Sequence, residues 1–161
     1  MNLLKRLTAA TVAAAALAVP AVAKVDAGTP ALIRTAESHG ASFVYNPSNC
    51  GTGFDGRFEL GKRIITLCYD VADANAHDTV RHEVWHLIQL CAAVKKGTPF
   101  KPVASPSDLS VFVDSQLTSE HISRIKRIYP KGHHLTELEA FAAAEAYTAA
   151  QMIPLLNGWC N

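Results

Sequence analysis

The clearest hydrophobic pattern of the chain lies between residues 78 and 94. At 100° per residue, the apolar side chains there fall on one face. That face carries Val80, Val84, Leu87, Cys91 and Val94. Asp78 is a good N-cap residue, and Lys95-Lys96-Gly97 supplies cations followed by a C′ glycine. The pattern therefore predicts a helix from Asp78 to Val94.

Shorter patterns predict a small sheet and further helices. Strands are predicted at Ser42 to Tyr45, Arg57 to Leu60 and Arg63 to Tyr69, the last two joined by a tight turn at Gly61-Lys62. Helices are predicted at Thr29 to His39, Ser107 to Leu117, Ser119 to Tyr129 and Thr136 to Met152, the last ended by Pro154. We therefore expect an α+β fold, in which a small antiparallel sheet packs on the helix of residues 78–94 and further helices follow toward the C-terminus.

The first 23 residues have the pattern of a secretory signal peptide. Lys5 and Arg6 precede an uncharged apolar run from Leu7 to Val19, and Ala21-Val22-Ala23 is a small-x-small cleavage site. The run is short for a membrane anchor. We expect cleavage after Ala23 and a single domain over residues 24–161, exported to a bacterial periplasm or secreted.

The charge balance excludes some classes of partner. Of 15 cations and 14 acids in the whole chain, the signal peptide carries two cations, which leaves 13 against 14 and a net charge of −1. A nearly neutral chain predicts no nucleic-acid partner and no attraction to an anionic membrane. After cleavage no stable membrane insertion is expected, and the pattern leaves the oligomeric state open.

The four cysteines all lie in the predicted mature chain, at positions 50, 68, 91 and 160. An even number in an exported chain suggests two disulfides, with three connectivities open. We favour Cys50–Cys68, which would close a local β-rich segment, and Cys91–Cys160, which would tie the C-terminus to the helix of residues 78–94. Zinc binding by cysteines is disfavoured, because the chain has no C-x-x-C pair.

The helix of residues 78–94 carries the sequence His82-Glu83-Val84-Trp85-His86, which reads H-E-x-x-H. Residues four apart on a helix lie on one face, so the two imidazoles can hold one zinc ion. The Glu beside the first His can reach a metal-bound water as a general base. The motif therefore predicts metal-assisted hydrolysis, with His82 and His86 as zinc ligands and Glu83 as the catalytic group.

A third ligand must come from another segment, because catalytic zinc sites usually have three protein ligands. The continuation to a third His is absent, since Gln89 and Ala92 stand where Gly and His would be needed. Glu139 is the favoured candidate. On a helical projection it shares a face with small residues, which would let two helices approach closely. Those small residues are Ala142, Ala143, Ala146 and Ala150.

Alternatives to Glu139 stay open. Thr136-x-x-Glu139 also fits a capping box, in which case Glu137 or a histidine would be the ligand. The histidines concerned are His121, His133 and His134. A further group could stabilise the oxyanion of the tetrahedral intermediate, and the candidates are His133, His134, Tyr129 and Tyr147.

Between Arg57 and Ala150 the chain resembles the gluzincin branch of the zincin metallopeptidases, in a minimal form. The resemblance rests on a strand, a helix with His82, Glu83 and His86, and a later helix with Glu139. It implies an exported zinc-dependent peptidase that acts on a peptide or protein. The strand before the helix would be the edge of the sheet, and the substrate would lie along it. One alternative is a non-catalytic zincin-like domain that binds zinc and a partner protein, and another is a disulfide-stapled module without metal.

Overall fold

The computed structural model describes residues 26–48, 50, 55–68 and 74–161. The predicted signal peptide lies outside these ranges. In chain order the elements are α1 (Thr29–Ser38), β1 (Ser42–Tyr45), β2 (Gly56–Glu59), β3 (Ile64–Leu67), α2 (Ala74–Lys96), α3 (Pro106–Gln116), α4 (Ser119–Ile128), α5 (His134–Ala146) and α6 (Ala149–Cys160). A short 3₁₀ turn, Lys131–His133, precedes α5. The predicted α+β class is confirmed.

The sheet differs from the prediction in strand direction. Its order is β1-β3-β2, with β2 antiparallel and β1 parallel to β3, so the sheet is mixed rather than antiparallel. The β2–β3 hairpin was readable from its local turn, whereas the direction of β1 depends on a longer connection. The strand before α2 is therefore the central one, and β1 and β2 are the edge strands, which corrects the expected sheet edge.

Helix α2 is the central element of the fold. It begins at Ala74, so Asp78 lies inside the first turns, where it is exposed and pairs with Arg81, and does not cap the helix. The sheet packs on one side of α2, and α1, α5 and α6 pack around it. Its apolar side chains are fully buried at Val80, Val84, Leu87 and Ile88. Polar residues of α2 are buried as well, and each of them needs a partner inside the protein.

The long helix predicted at Thr136 to Met152 is two helices. α5 ends at Ala146, and α6 begins after Thr148, whose side chain caps the new helix. Thr148 and Gln151 form a capping box, a signal that the sequence contained in Thr148-x-x-Gln151. Pro154 lies inside α6 and does not end it.

The two disulfides are the predicted ones, Cys50–Cys68 and Cys91–Cys160. The second joins α2 to the end of α6, across 69 residues of sequence. Two disulfides fit an oxidising, extracellular compartment. In the ranges that the structure describes, no helix is both long enough and apolar enough to cross a membrane.

Candidate metal centre

The two histidines of the motif meet on a buried face of α2. His82 and His86 are 7% and 6% exposed, and their Nε2 atoms lie 3.2 Å apart. The ring centroids are 4.8 Å apart and the ring planes are almost perpendicular. Two ring nitrogens this close cannot both carry a proton toward each other without repulsion. The pair is therefore suited to sharing one cation.

Glu137, from α5, completes a triangle with these two nitrogens. Its Oε2 lies 3.2 Å from His82 Nε2 and 3.5 Å from His86 Nε2. Burial would raise the pKa of Glu137, but its contacts with His82 and His86 outweigh burial and lower that pKa to about 2. For His86 the directions are opposite. Burial lowers the pKa of His86, but the contacts with Glu137 and Glu83 raise it by more, so its net shift is upward. The lowered pKa of Glu137 and the raised pKa of His86 both mean that a positive charge is stabilised between His82, His86 and Glu137.

Glu83 lies on the same side of α2 and is 4% exposed. One carboxylate oxygen of Glu83 and one nitrogen of each histidine lie within 4.8 Å of one another, and this group could hold a metal ion. Burial raises the pKa of the Glu83 carboxyl, and the nearby His82 and His86 offset part of that rise. Two carboxylates, Glu83 and Glu137, therefore border the histidine pair at different distances.

The tighter triangle has the spacing that a metal requires. Tetrahedral zinc with bonds of about 2.0–2.1 Å places its ligand atoms about 3.3 Å apart. The three separations between His82, His86 and Glu137 are 3.2, 3.2 and 3.5 Å. Among the described residues, Glu137 Oε2 is a buried atom with no hydrogen-bond partner of its own. The donor set, two imidazoles and one carboxylate, is one that zinc accepts.

The structure gives Glu139, the predicted third ligand, other partners than the histidine pair. Its carboxylate is 1% exposed and accepts four hydrogen bonds at 2.8–3.1 Å, so its oxygens are occupied. The donors are Trp85 Nε1, Gln89 Nε2, Val103 N and Ala104 N. No capping box forms at Thr136 either, because α5 begins at His134 and the Thr136 hydroxyl donates to the His133 carbonyl.

Helix α5 carries small residues on more than one side. Ala140 and Ala143 face the main core around α2, while Ala142 faces a second apolar cluster shared with α3 and α4. A stripe of alanines therefore did not indicate which side of α5 meets α2. Glu137, Phe141 and Ala144 form the side that faces the metal centre and its cavity.

A cavity of about 860 Å³ opens beside the triangle and is bordered by α2, α4, α5 and the edge strand β2. Its apolar wall is provided by Phe58, Leu60, Phe100, Leu117, Ile125, Ile128 and Phe141. His82, His86, Glu137 and Glu83 are all among the residues that line this space. A ligand larger than water can therefore reach the group that could hold a metal.

The predicted oxyanion stabilisers separate into two sets. Tyr129 and His133 line the cavity, as does His121. His134 and Tyr147 are not among the lining residues: the His134 ring nitrogen lies 2.8 Å from the Tyr129 carbonyl, and Tyr147 stacks on Trp85 with centroids 5.7 Å apart. Burial, then the charges of Glu137 and Glu83, raises the pKa of Tyr129 well above its usual range, so its hydroxyl keeps its proton.

Sequence reasoning missed two residues of the site. Gly56 lets β2 approach Glu83, because a Cβ at this position would lie 2.8 Å from Glu83 Oε1 and 2.4 Å from Thr79 Cγ2. No local pattern marked this glycine. Gln89, three residues after His86, contacts the ring of that histidine, and its i+3 spacing was a readable signal.

Comparison with known proteins adds no relative. No protein-family model, no curated protein and no solved structure matches the chain. What can be said of function therefore rests on the motif of residues 82–86 and on the geometry of the described residues.

Proposed function

We propose that the chain is an exported zinc-dependent metallopeptidase of the gluzincin type, with His82, His86 and Glu137 as the zinc ligands. The observation that carries the proposal is the triangle of three metal-binding atoms, 3.2–3.5 Å apart, with Glu83 beside it. A purely structural zinc site would not need Glu83, a carboxylate that lies beside the three proposed ligands and does not itself bind the zinc. The proposal differs from the sequence-based expectation only in the third ligand.

A zinc ion bound there would lower the pKa of a water molecule toward neutrality and polarise the substrate carbonyl. Glu83 acts as the general base: it accepts the proton of the attacking water and passes it to the leaving amine. The raised pKa of this buried carboxyl suits a group that must first take and then release a proton.

Two further parts of the cavity wall support a peptide substrate. Strand β2 is an edge strand of the sheet and borders the cavity, and a sheet edge is where an extended peptide can add as a further strand. The Tyr129 hydroxyl keeps its proton and can donate a hydrogen bond to the developing oxyanion. The apolar wall would then receive substrate side chains.

The deciding experiment is metal analysis of the mature protein, residues 24–161, joined to a cleavage assay. We expect one zinc per chain, and hydrolysis of an unfolded, alkylated protein whose new termini are read by mass spectrometry. A chelator should stop cleavage and zinc should restore it. Bound zinc without cleavage would favour the non-catalytic, partner-binding alternative. Absence of zinc would reject both.

Tyr129→Phe tests the oxyanion role. We expect kcat to fall about 100-fold, the effect of losing one such donor, with the zinc content unchanged. Tyr45→Phe, at an exposed tyrosine of β1, is the matched control and should leave kcat unchanged. An unchanged kcat in Tyr129→Phe would reduce Tyr129 to a wall residue and direct attention to His133.

Gly56→Ala tests the close approach of β2 to the general base. The added methyl group must displace the Glu83 side chain or the strand, and a displacement of about 1 Å costs roughly 100-fold in rate. Zinc content should stay at the wild-type level. Gly61→Ala, in the turn of the same hairpin with no atom within 4 Å of the new Cβ, should be fully active. Wild-type kcat/KM in Gly56→Ala would contradict this role.

A further inference from the structure

Gln89 is a fully buried polar side chain of α2, and its amide oxygen and nitrogen together make three polar contacts. Its Oε1 lies 2.8 Å from His86 Nδ1. Its Nε2 donates to the Thr136 carbonyl at 3.0 Å and to Glu139 Oε2 at 2.9 Å. The side chain thus connects a proposed zinc ligand on α2 with the backbone and a carboxylate of α5.

The orientation of the Gln89 amide follows from its partners. A carbonyl oxygen and a carboxylate only accept hydrogen bonds, so the NH₂ group must face Thr136 and Glu139. The amide oxygen then faces His86, and Nδ1 must be the atom that donates to it. A neutral imidazole carries one ring proton, so His86 Nε2 is left with a lone pair directed at the metal triangle.

Glu139 stabilises this arrangement through its other hydrogen bonds. Besides Gln89 it accepts hydrogen bonds from Trp85 Nε1 at 3.1 Å and from the backbone N–H groups of Val103 and Ala104 at 2.9 and 2.8 Å. The segment that contains Val103 and Ala104 also carries Phe100, which lines the cavity 6.3 Å from the His86 ring. One carboxylate therefore fixes both the Gln89 amide and a part of the cavity wall.

We propose that Gln89 and Glu139 form a positioning relay that holds His86 in the Nδ1–H tautomer, so that its Nε2 is ready to bind metal before any metal arrives. The inference rests on the proposed function for its purpose, but the tautomer itself does not depend on it. Outer partners of this kind typically change metal affinity about 10- to 100-fold. His82 differs, because its Nδ1 has no hydrogen-bond partner among the described residues.

The first test uses the metal-free wild-type protein. Long-range ¹H–¹⁵N spectra of the histidine rings distinguish the two tautomers, and they are recorded above the pH at which the ring nitrogen shifts of His86 stop changing, so that this imidazole is neutral. We expect His86 in a single form with the proton on Nδ1. A His86 ring with its proton on Nε2, or a mixture of both forms, would overturn the proposal. This measurement gives an answer whether or not the protein is a peptidase.

The second test compares Gln89→Met with a matched control. Removal of the amide should let His86 adopt both tautomers and should weaken zinc binding about 10- to 100-fold, measured by competition with a chromogenic chelator. The control, Thr29→Val, removes the 2.7 Å contact of a hydroxyl with His77 Nδ1, another buried histidine of α2, and should leave zinc affinity unchanged.

The outcomes separate the relay from the proposed function. A folded Gln89→Met protein with wild-type affinity and a pure Nδ1–H tautomer overturns the relay, while zinc-dependent cleavage by wild type would still support the peptidase. Wild-type protein that binds no zinc rejects the peptidase, and the tautomer spectra still decide the relay. Should Gln89→Met fail to fold, the wild-type spectra decide alone.

Discussion

Glu83→Gln is expected to abolish peptide-bond cleavage while zinc stays bound. The amide keeps the shape of the side chain but cannot accept the proton of the attacking water, and loss of a general base costs about 10²- to 10⁴-fold in rate. His82, His86 and Glu137 are unchanged, so zinc content should remain at the wild-type level. Steady-state kinetics on a cleaved peptide and metal analysis of the same sample measure both quantities.

Glu145→Gln is the control for this experiment. Glu145 is an exposed carboxylate at the border of the same cavity, so the substitution makes the same charge change near the same substrate. We expect activity close to wild type. Residual cleavage by Glu83→Gln at the level of Glu145→Gln would show that another group takes the proton.

Glu137→Gln is expected to weaken zinc binding more than about 100-fold, beyond what outer partners of a metal site produce. An amide oxygen is a poorer zinc ligand than a carboxylate, and the triangle would lose the negative charge that stabilises a cation between the histidines. Zinc affinity by competition with a chelator measures the effect. Activity at saturating zinc gives a second readout.

Glu139→Gln distinguishes the two neighbouring glutamates. Its zinc affinity should fall by no more than about 100-fold, while the metal-free protein should lose about 2–3 kcal/mol of unfolding free energy, because several charge-assisted hydrogen bonds are weakened. Glu137→Gln should lose more zinc affinity than Glu139→Gln, because it removes a proposed ligand rather than an outer partner. If Glu139→Gln were the variant that no longer binds zinc, the triangle described above would not be the metal site.

The motif helix was predictable because its signal is local, whereas the favoured Cys91–Cys160 pairing joins residues 69 apart in sequence. The spacing of His82 and His86 needs only helical geometry to bring the two rings together, and α2 provides it. Cys91 lies away from the His pair on the same helix, and this placed it toward the C-terminal cysteine. Such inferences depend on one element and its period, which the sequence states directly.

Which glutamate of α5 faces the histidine pair was not predictable, because it depends on how two helices pack. Glu137 and Glu139 are two residues apart on α5, and they point to different sides of that helix. Both sides are buried, so the choice required knowledge of what lies opposite each one. For Glu139 it is the indole of Trp85 and the amide of Gln89, and for Glu137 the two imidazoles.

The direction of β1 and the break between α5 and α6 illustrate two different reasons for error. The parallel pairing of β1 with β3 depends on a connection that has no pattern of its own. The break at Thr148 did have a pattern, the capping box with Gln151, but it lies in an alanine-rich run that favours uninterrupted helix. The direction of β1 was missed because the sequence lacks the information. The break at Thr148 was missed because its capping signal is weaker than the helix propensity of the alanine-rich run.

The proposed ligands lie on two helices, and Glu137 follows His86 by 137 − 86 = 51 residues, so an ion bound between them acts as a crosslink that the unfolded chain cannot hold in the same way. Any ion that binds the folded state selectively adds RT ln(1 + [M]/Kd) to its stability, about 4 kcal/mol at a concentration of 1,000 Kd. For a chain of this size that raises the melting temperature by roughly 10 °C. A thermal-shift series with different divalent ions would therefore rank the metals that the site prefers before any substrate is known.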